Sequence, residues 1–192
     1  ENWLLINMEQ KMNSIYTVMK RTTDIISGII IGIVFIVLCP IVIPLIKLTG
    51  SGTVFFTQKR IATNGKEFVI YKYRTMSMGT KNDIWTSDDD PRITRFGKFL
   101  RKTRIDELPQ FINLLTGDMS LVGPRPEQVG IVNTLKTEIP FYDTRHAIRP
   151  GITGWAQLHV YASTTAQTKK KLQYDLYYLK HRSLLFDLEI MF

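Results

Sequence analysis

Residues 25–48 read IISGIIIGIVFIVLCPIVIPLIKL, and the reading of this run decides the fold class. Lys47 is its only charge. As one straight helix it would measure roughly 36 Å, enough to cross a hydrocarbon core of about 30 Å. A secretory signal peptide fits poorly, because the run is long and no small-residue cleavage site precedes the next element. Pro40 and Pro44 lie inside it. Proline has no backbone N–H and its ring meets the preceding turn, so Pro40 should bend or break the helix. The part before it, residues 25–39, would reach only about 22 Å. Basic residues flank both ends: Lys20 and Arg21 before, Lys47, Lys59 and Arg60 after. That pulls both ends to the cytoplasmic side. The residues alone leave two topologies, a proline-kinked single span and a re-entrant segment that dips in, turns at Pro40 and returns.

Around this run the chain is ordinary in composition. It has 192 residues, 44% apolar and 22% charged, which excludes a mostly disordered chain and a multi-span membrane protein. Its net charge is +8, and residues 1–50 hold only four of the 25 cations, so the basic excess lies in the remainder. The single cysteine, Cys39, excludes an intramolecular disulfide and a cysteine-based zinc site. His146, His159 and His181 have no metal-ligand spacing and read as structural or surface residues.

Residues 1–19 read as an amphipathic or linker helix leading into the membrane. Residues 53–58 and 68–74 are rich in aromatic and β-branched types around Asn64-Gly65, which predicts a β-hairpin. Residues 81–90 read as a polar loop. Asp90-Pro91 looks like an N-cap followed by proline at the first helical position. Residues 92–104, RITRFGKFLRKTR, carry six cations and no acid, with apolar residues recurring at helical spacing. That is a basic amphipathic helix suited to an anionic membrane surface. A solvated basic face over a protein core has the same pattern. Nucleic-acid binding fits a basic helix too, but the neighbouring membrane segment favours lipid headgroups or a phosphorylated substrate.

Asp106 and Glu107 follow directly behind those cations. Arginines hold phosphate oxygens, carboxylates hold Mg²⁺, and a carboxylate can itself attack phosphorus. On residue types alone, such a dipeptide is more often salt-bridged than catalytic. P-loop and Rossmann glycine patterns are absent. Asp88-Asp89-Asp90 reads as a solvated loop ending in a cap, and residues 169–171, three lysines, as a solvated face or a headgroup contact. Trp3, Trp85 and Trp155 fit interface anchors and core packing equally.

Several motifs together resemble one family, the monotopic phosphoglycosyl transferases, or bacterial sugar transferases. They are Lys20-Arg21 with Asp24, FFTQKR at 55–60, YKYRTM at 71–76, DPRITRFGKFLRKT at 90–103, DELPQ at 106–110, GDMSLVGPRP at 117–126 and RPGITGWAQ at 149–157. The resemblance covers residues 19–192. It implies a mainly α fold with a small β-hairpin, in a monotopic membrane protein with a re-entrant helix-break-helix and amphipathic interfacial helices. The implied division is a linker or interfacial helix at 1–18, a re-entrant helix broken at Pro40 over 19–49, and a cytosolic interfacial catalytic domain at 50–192. Residues 1–18 then read as the tail of a preceding region of a larger protein.

The implied reaction passes a sugar-1-phosphate from a UDP-sugar to polyprenyl (undecaprenyl) phosphate and releases UMP. By resemblance Asp106 is the nucleophile, forming an aspartyl phospho-sugar in a ping-pong sequence. Glu107 positions Mg²⁺ or manages protons, and Asp106 and Glu107 are the implied metal ligands. Arg101, Pro124, Arg125, Pro126, Lys72, Arg74 and Arg149 are the implied substrate contacts. The implied partners are UDP-sugar, polyprenyl phosphate and a phospholipid membrane, with no nucleic acid and room for a homo-oligomer. The implied place is the bacterial inner membrane, with the catalytic domain at the cytoplasmic face. Two other readings carry their own signatures: a lipid diphosphatase, which needs no UDP-sugar, and a non-catalytic basic scaffold on the membrane surface. The chain departs from the family pattern at Cys39, where serine is common, and at Arg104, where a small residue is common. Arg104 adds a cation beside Asp106 and is expected to lower its pKa.

Overall fold

In the computed structural model, which describes residues 14–49, 52–77, 90–160 and 164–192, one helix carries the whole apolar run. Residues 1–13, which include Trp3 and most of the expected leading helix, lie outside the described residues, as do Ser51, the polar loop at 81–89, Trp85, Asp88 and Asp89. Helix α1 is Ser14–Leu48, 35 residues with Pro40 and Pro44 inside it. The expected division into two helices at Pro40 is therefore corrected: helical structure continues through both prolines. An interior proline frees one carbonyl a turn earlier and bends a helix when the other hydrogen bonds hold.

The contacts of α1 follow one stripe. Asp24, Gly28, Gly32, Val42 and Ile46 are buried, with Phe35 and Leu38 partly buried between them. The opposite face leaves Ile26, Ile30, Ile33, Val37, Ile41 and Leu45 exposed. Both ends are fastened to the same body. Near the start, Lys20 donates to the Val122 carbonyl (3.0 Å) and the Asp187 carboxylate (2.7 Å). Asp24 accepts from the Ser120 hydroxyl and the Leu121 N–H, both at 2.8 Å. Near the end, Arg74 donates to the Ile46 carbonyl at 3.1 Å. In the middle Gly28 lets the helix approach Leu114 and Leu115, where a Cβ would come within 2.9 Å of a leucine methyl. Phe35 packs on Phe55, Tyr73 and Phe111.

The hairpin forms as expected, with shifted ends. Strand β1 is Phe55–Ile61 and β2 is Glu67–Tyr73, antiparallel from Phe55↔Tyr73 to Ile61↔Glu67. Asn64 takes the left-handed conformation that such turns need (φ 56°). Helix α2 is Arg95–Lys102, and its N-cap is Thr94, whose hydroxyl accepts from the Gly97 N–H. The expected cap at Asp90 is displaced because Arg92 engages that carboxylate with its backbone N–H and guanidinium. The Met76↔Ile93 bridge also keeps the chain extended there. A 3-10 helix at Ile105–Gln110 leads into α3, Phe111–Thr116. Strands β3, Ser120–Val122, and β4, Gly151–Thr153, form a short parallel pair. Between them lie α4, Val129–Glu138, and a 3-10 helix at Tyr142–Ala147. After β4 come α5, Trp155–His159, α6, Thr165–His181, and α7, Leu184–Met191.

His146 sits in the 142–147 turn, buried, with its Nδ1 against the Asp143 carboxylate at 3.1 Å. Burial, and then the neighbouring Arg145, push its pKa down to about 4. A depressed base is neutral in the fold and protonated in the unfolded chain below the ordinary pKa near 6.5. Its contribution is therefore complete above that value and is lost as pH falls toward 4. That amounts to about 2 kcal/mol between pH 7 and pH 5. Melting of the detergent-solubilised protein at both pH values, beside His146→Gln, should show a smaller pH dependence in the variant. Equal slopes would remove His146 as the cause.

Candidate active site

The 3-10 helix at Ile105–Gln110 brings Asp106 and Glu107 to the floor formed by β2. The chain reverses into it at Arg104, whose φ of 58° lies in the left-handed region. Glycine takes that conformation at little cost, while arginine, like other residues with a Cβ, adopts it at a cost on the order of 1 kcal/mol. Asp106 and Glu107 are both buried, at 7% exposure.

Their surroundings differ. Glu107 Oε1 accepts from Lys72 Nζ at 2.7 Å and from Arg125 Nη2 at 2.6 Å. Burial would raise its pKa, but Arg125 and Lys72 outweigh that and hold it well below the usual carboxylate range. Burial pushes the Lys72 ammonium down to about 8 despite Glu107. Asp106 has no such clamp: its Oδ1 is buried with no hydrogen-bond partner. Burial pushes its pKa up, with Lys72, Arg101 and Arg125 opposing. The expectation that Arg104 would lower it is corrected. The Arg104 side chain is exposed, and burial decides the direction. Two adjacent carboxyls thus have pKa values displaced in opposite directions, Glu107 downward by its two cations and Asp106 upward by burial, and Asp106 keeps an oxygen that makes no hydrogen bond.

Of the expected contacts, Lys72, Arg101 and Arg125 gather around the pair. Arg101 Nε donates to Thr75 Oγ1 at 2.9 Å, and its charge reaches Asp106. Pro124 and Pro126 flank Arg125 and are buried. Arg74 donates to α1 at Ile46, and Arg149 lies 3.8 Å from Asp24 on the α1 side of β4. Among the described residues no group of three or more His, Cys, Asp or Glu could hold a metal. One free carboxylate oxygen beside a second carboxylate suits Mg²⁺, which takes one or two protein carboxylates and completes its shell with water and phosphate.

Sequence reasoning missed the layer behind Arg125. Arg145, Asp175, Glu127 and Lys171 are drawn together there. Lys171, expected in a solvated face, is buried and paired with Glu127. The signal was available: Thr168, Lys171, Leu172, Asp175, Tyr178 and Leu179 recur at helical spacing and form the buried face of α6.

The sequence model of the bacterial sugar transferase family matches residues 15–192, and the chain belongs to that family. A UDP-N-acetylgalactosamine-undecaprenyl-phosphate N-acetylgalactosaminephosphotransferase of Aeromonas hydrophila is 46% identical over 181 residues, covering 93% of this chain and 43% of that protein. A UDP-glucose:undecaprenyl-phosphate glucose-1-phosphate transferase of Escherichia coli K12 is 38% identical over 187 residues, 94% of this chain and 40% of that protein. An exopolysaccharide production protein, PSS, of Rhizobium leguminosarum is 40% identical over 184 residues, 91% of this chain and 92% of its own length. The chain thus spans less than half the length of the first two relatives.

Proposed function

We propose that this chain transfers a sugar-1-phosphate from a UDP-sugar to polyprenyl phosphate, giving polyprenyl-diphospho-sugar and UMP. The observation that carries the reading is the unpartnered, buried Oδ1 of Asp106 beside a Glu107 whose Oε1 is held by two cations. The relatives' names supply the class of donor and acceptor.

In the first half-reaction an Asp106 oxygen attacks the β-phosphorus. The bond from that phosphorus to the bridging oxygen breaks, and UMP leaves with the electron pair. An oxygen of the polyprenyl phosphate then attacks the same phosphorus and frees the Asp106 carboxylate. Arg101 and Arg125 would hold the diphosphate oxygens, while Lys72, bonded to Glu107, favours its ionised form beside them. Asp106 and Glu107 are the residues that would hold Mg²⁺, which when bound neutralises diphosphate charge.

The reaction needs a site at headgroup level, and α1 supports one. It is long and apolar enough to cross a membrane. Its outward face is apolar, while both ends pack on the catalytic body. A crossing helix would part from the body on one side of the bilayer. We therefore read α1 as a re-entrant helix that turns by bending at its interior prolines rather than by dividing in two, with both ends at the cytoplasmic face of the bacterial inner membrane. The α2 helix packs Leu100 against Val42 and Ile46 and leaves Phe99, Arg95, Lys98 and Lys102 exposed. That suits an interfacial helix. Asn13→Cys and Ser51→Cys, treated separately with a thiol reagent that cannot cross membranes, should both label from the cytoplasmic side. Labelling from opposite sides would mean a spanning helix.

The test of function is UMP release by protein in nanodiscs with Mg²⁺ and undecaprenyl phosphate. The donor panel includes UDP-N-acetylgalactosamine and UDP-glucose. Release from one or two donors, dependent on the lipid phosphate, is expected. Phosphate release from polyprenyl diphosphate without any UDP-sugar would overturn the reading.

A further inference from the structure

The run from Pro124 to Glu127 has two prolines and so lacks two of the N–H groups that would tie a loop to itself. Its carbonyls are tied from outside. Pro124 O accepts from the Gly151 N–H at 2.9 Å. Arg125 O accepts from Arg145 Nη2 at 2.9 Å, Pro126 O from Arg60 Nη1 at 3.0 Å, and Glu127 O from the Ile61 N–H at 3.1 Å. The Arg145 contact differs from the rest. It comes from a side chain 2% exposed, held in turn by Asp175, also 2% exposed, through Nε at 2.9 Å and Nη2 at 2.8 Å. The Tyr142 hydroxyl lies 3.2 Å from Nη1. A buried ion pair is weak evidence of stability, since apolar residues of similar volume often serve as well. Here one guanidinium spans a carboxylate and a backbone carbonyl, which is a geometric task.

We propose that the Arg145–Asp175 pair is a positioning device for Arg125. It fixes the Arg125 carbonyl and so the direction from which the Arg125 guanidinium reaches Glu107. Neither residue touches the reacting groups. The inference rests on the transfer reaction proposed above, and its test has one arm that does not.

Arg145→Lys keeps a cation for Asp175, but an ammonium cannot span both partners as the planar fork does. The double variant Arg145→Met/Asp175→Leu removes the pair and leaves no lone buried charge. Each is prepared in nanodiscs beside the wild type. Arg125 labelling by phenylglyoxal is followed by mass spectrometry, and UMP release is measured with the best donor. Arg125 is partly exposed and engaged by Glu107, so its labelling reports that engagement. Labelling severalfold faster is expected in both variants. A fall of about tenfold in kcat is expected with it, the equivalent of one lost hydrogen bond to a charged group. Unchanged labelling overturns the proposal, whatever the activity does, because a merely structural role predicts that. Faster labelling with unchanged kcat overturns it as well. No UMP release from the wild type would count against the reaction, and labelling alone would then decide the positioning.

Discussion

Replacing Asp106 by asparagine should cut UMP release by at least about 10⁴-fold, since an amide cannot form the acyl phosphate. It should also raise the melting temperature slightly. Burial works against the charge on Asp106, and its Oδ1 makes no hydrogen bond that asparagine would lose. A neutral isostere relieves that burial, the usual trade between activity and stability at a reactive group. Glu107→Gln should do the reverse to stability. It strips the counter-charge from Lys72 and Arg125, both bonded to the same oxygen, and should destabilise by about 3 kcal/mol. The pair of variants therefore separates two adjacent carboxyls by the sign of their thermal shifts. UMP release within tenfold of wild type in Asp106→Asn would remove Asp106 as the nucleophile. A lower melting temperature in that variant would contradict the burial argument.

Local chemistry explains what the sequence made legible. The hairpin was readable because Asn64-Gly65 and two β-branched, aromatic runs are short-range signals. The inner stripe of α1 was not marked by hydrophobicity, because both of its faces are apolar. Only Lys20, Arg21 and Asp24 betray which side meets the body, where Arg21 also donates to the Leu114 and Leu115 carbonyls. Pro40 does not end the helix, because a local steric rule takes no account of the tertiary contacts on both sides of it. Those include Tyr73, whose phenol is pushed up by burial and the adjacent Cys39. The Asp90 cap is displaced for a related reason, since Arg92 competes for the carboxylate. In the site, Asp106, Glu107 and Arg125 came from motifs. Arg145 and Asp175 lie 30 positions apart and meet only through packing, so helical spacing marks the face of Asp175 but nothing local announces its partner.

Gly151→Ala should be among the most damaging small substitutions in the fold. Strands β3 and β4 are three residues each and pair through only Ser120↔Gly151 and Val122↔Thr153. A Cβ on Gly151 would lie 2.1 Å from Gly123 N, 2.5 Å from Thr153 O and 2.6 Å from Gly123 O. All three are backbone atoms, of β4 or of Gly123 directly after β3, so no side chain can swing aside, and the backbones must part. Overpacking in a well-packed site costs about 1–3 kcal/mol when neighbours can adjust, and this one belongs at the upper end or beyond. A loss of about 3 kcal/mol lowers the melting temperature by roughly 10 °C for a chain of this size. The Gly151 N–H also holds Pro124 O, so Arg125 should loosen and UMP release should fall at temperatures where the protein is still folded. Gly130→Ala is the control. Gly130 lies in α4 with open space where its Cβ would go, so the same change should stabilise by about 0.5–1 kcal/mol. Melting curves of the two variants should therefore move in opposite directions. A Gly151→Ala protein that melts like wild type would mean that the β3–β4 pair is not what holds Arg125 in place.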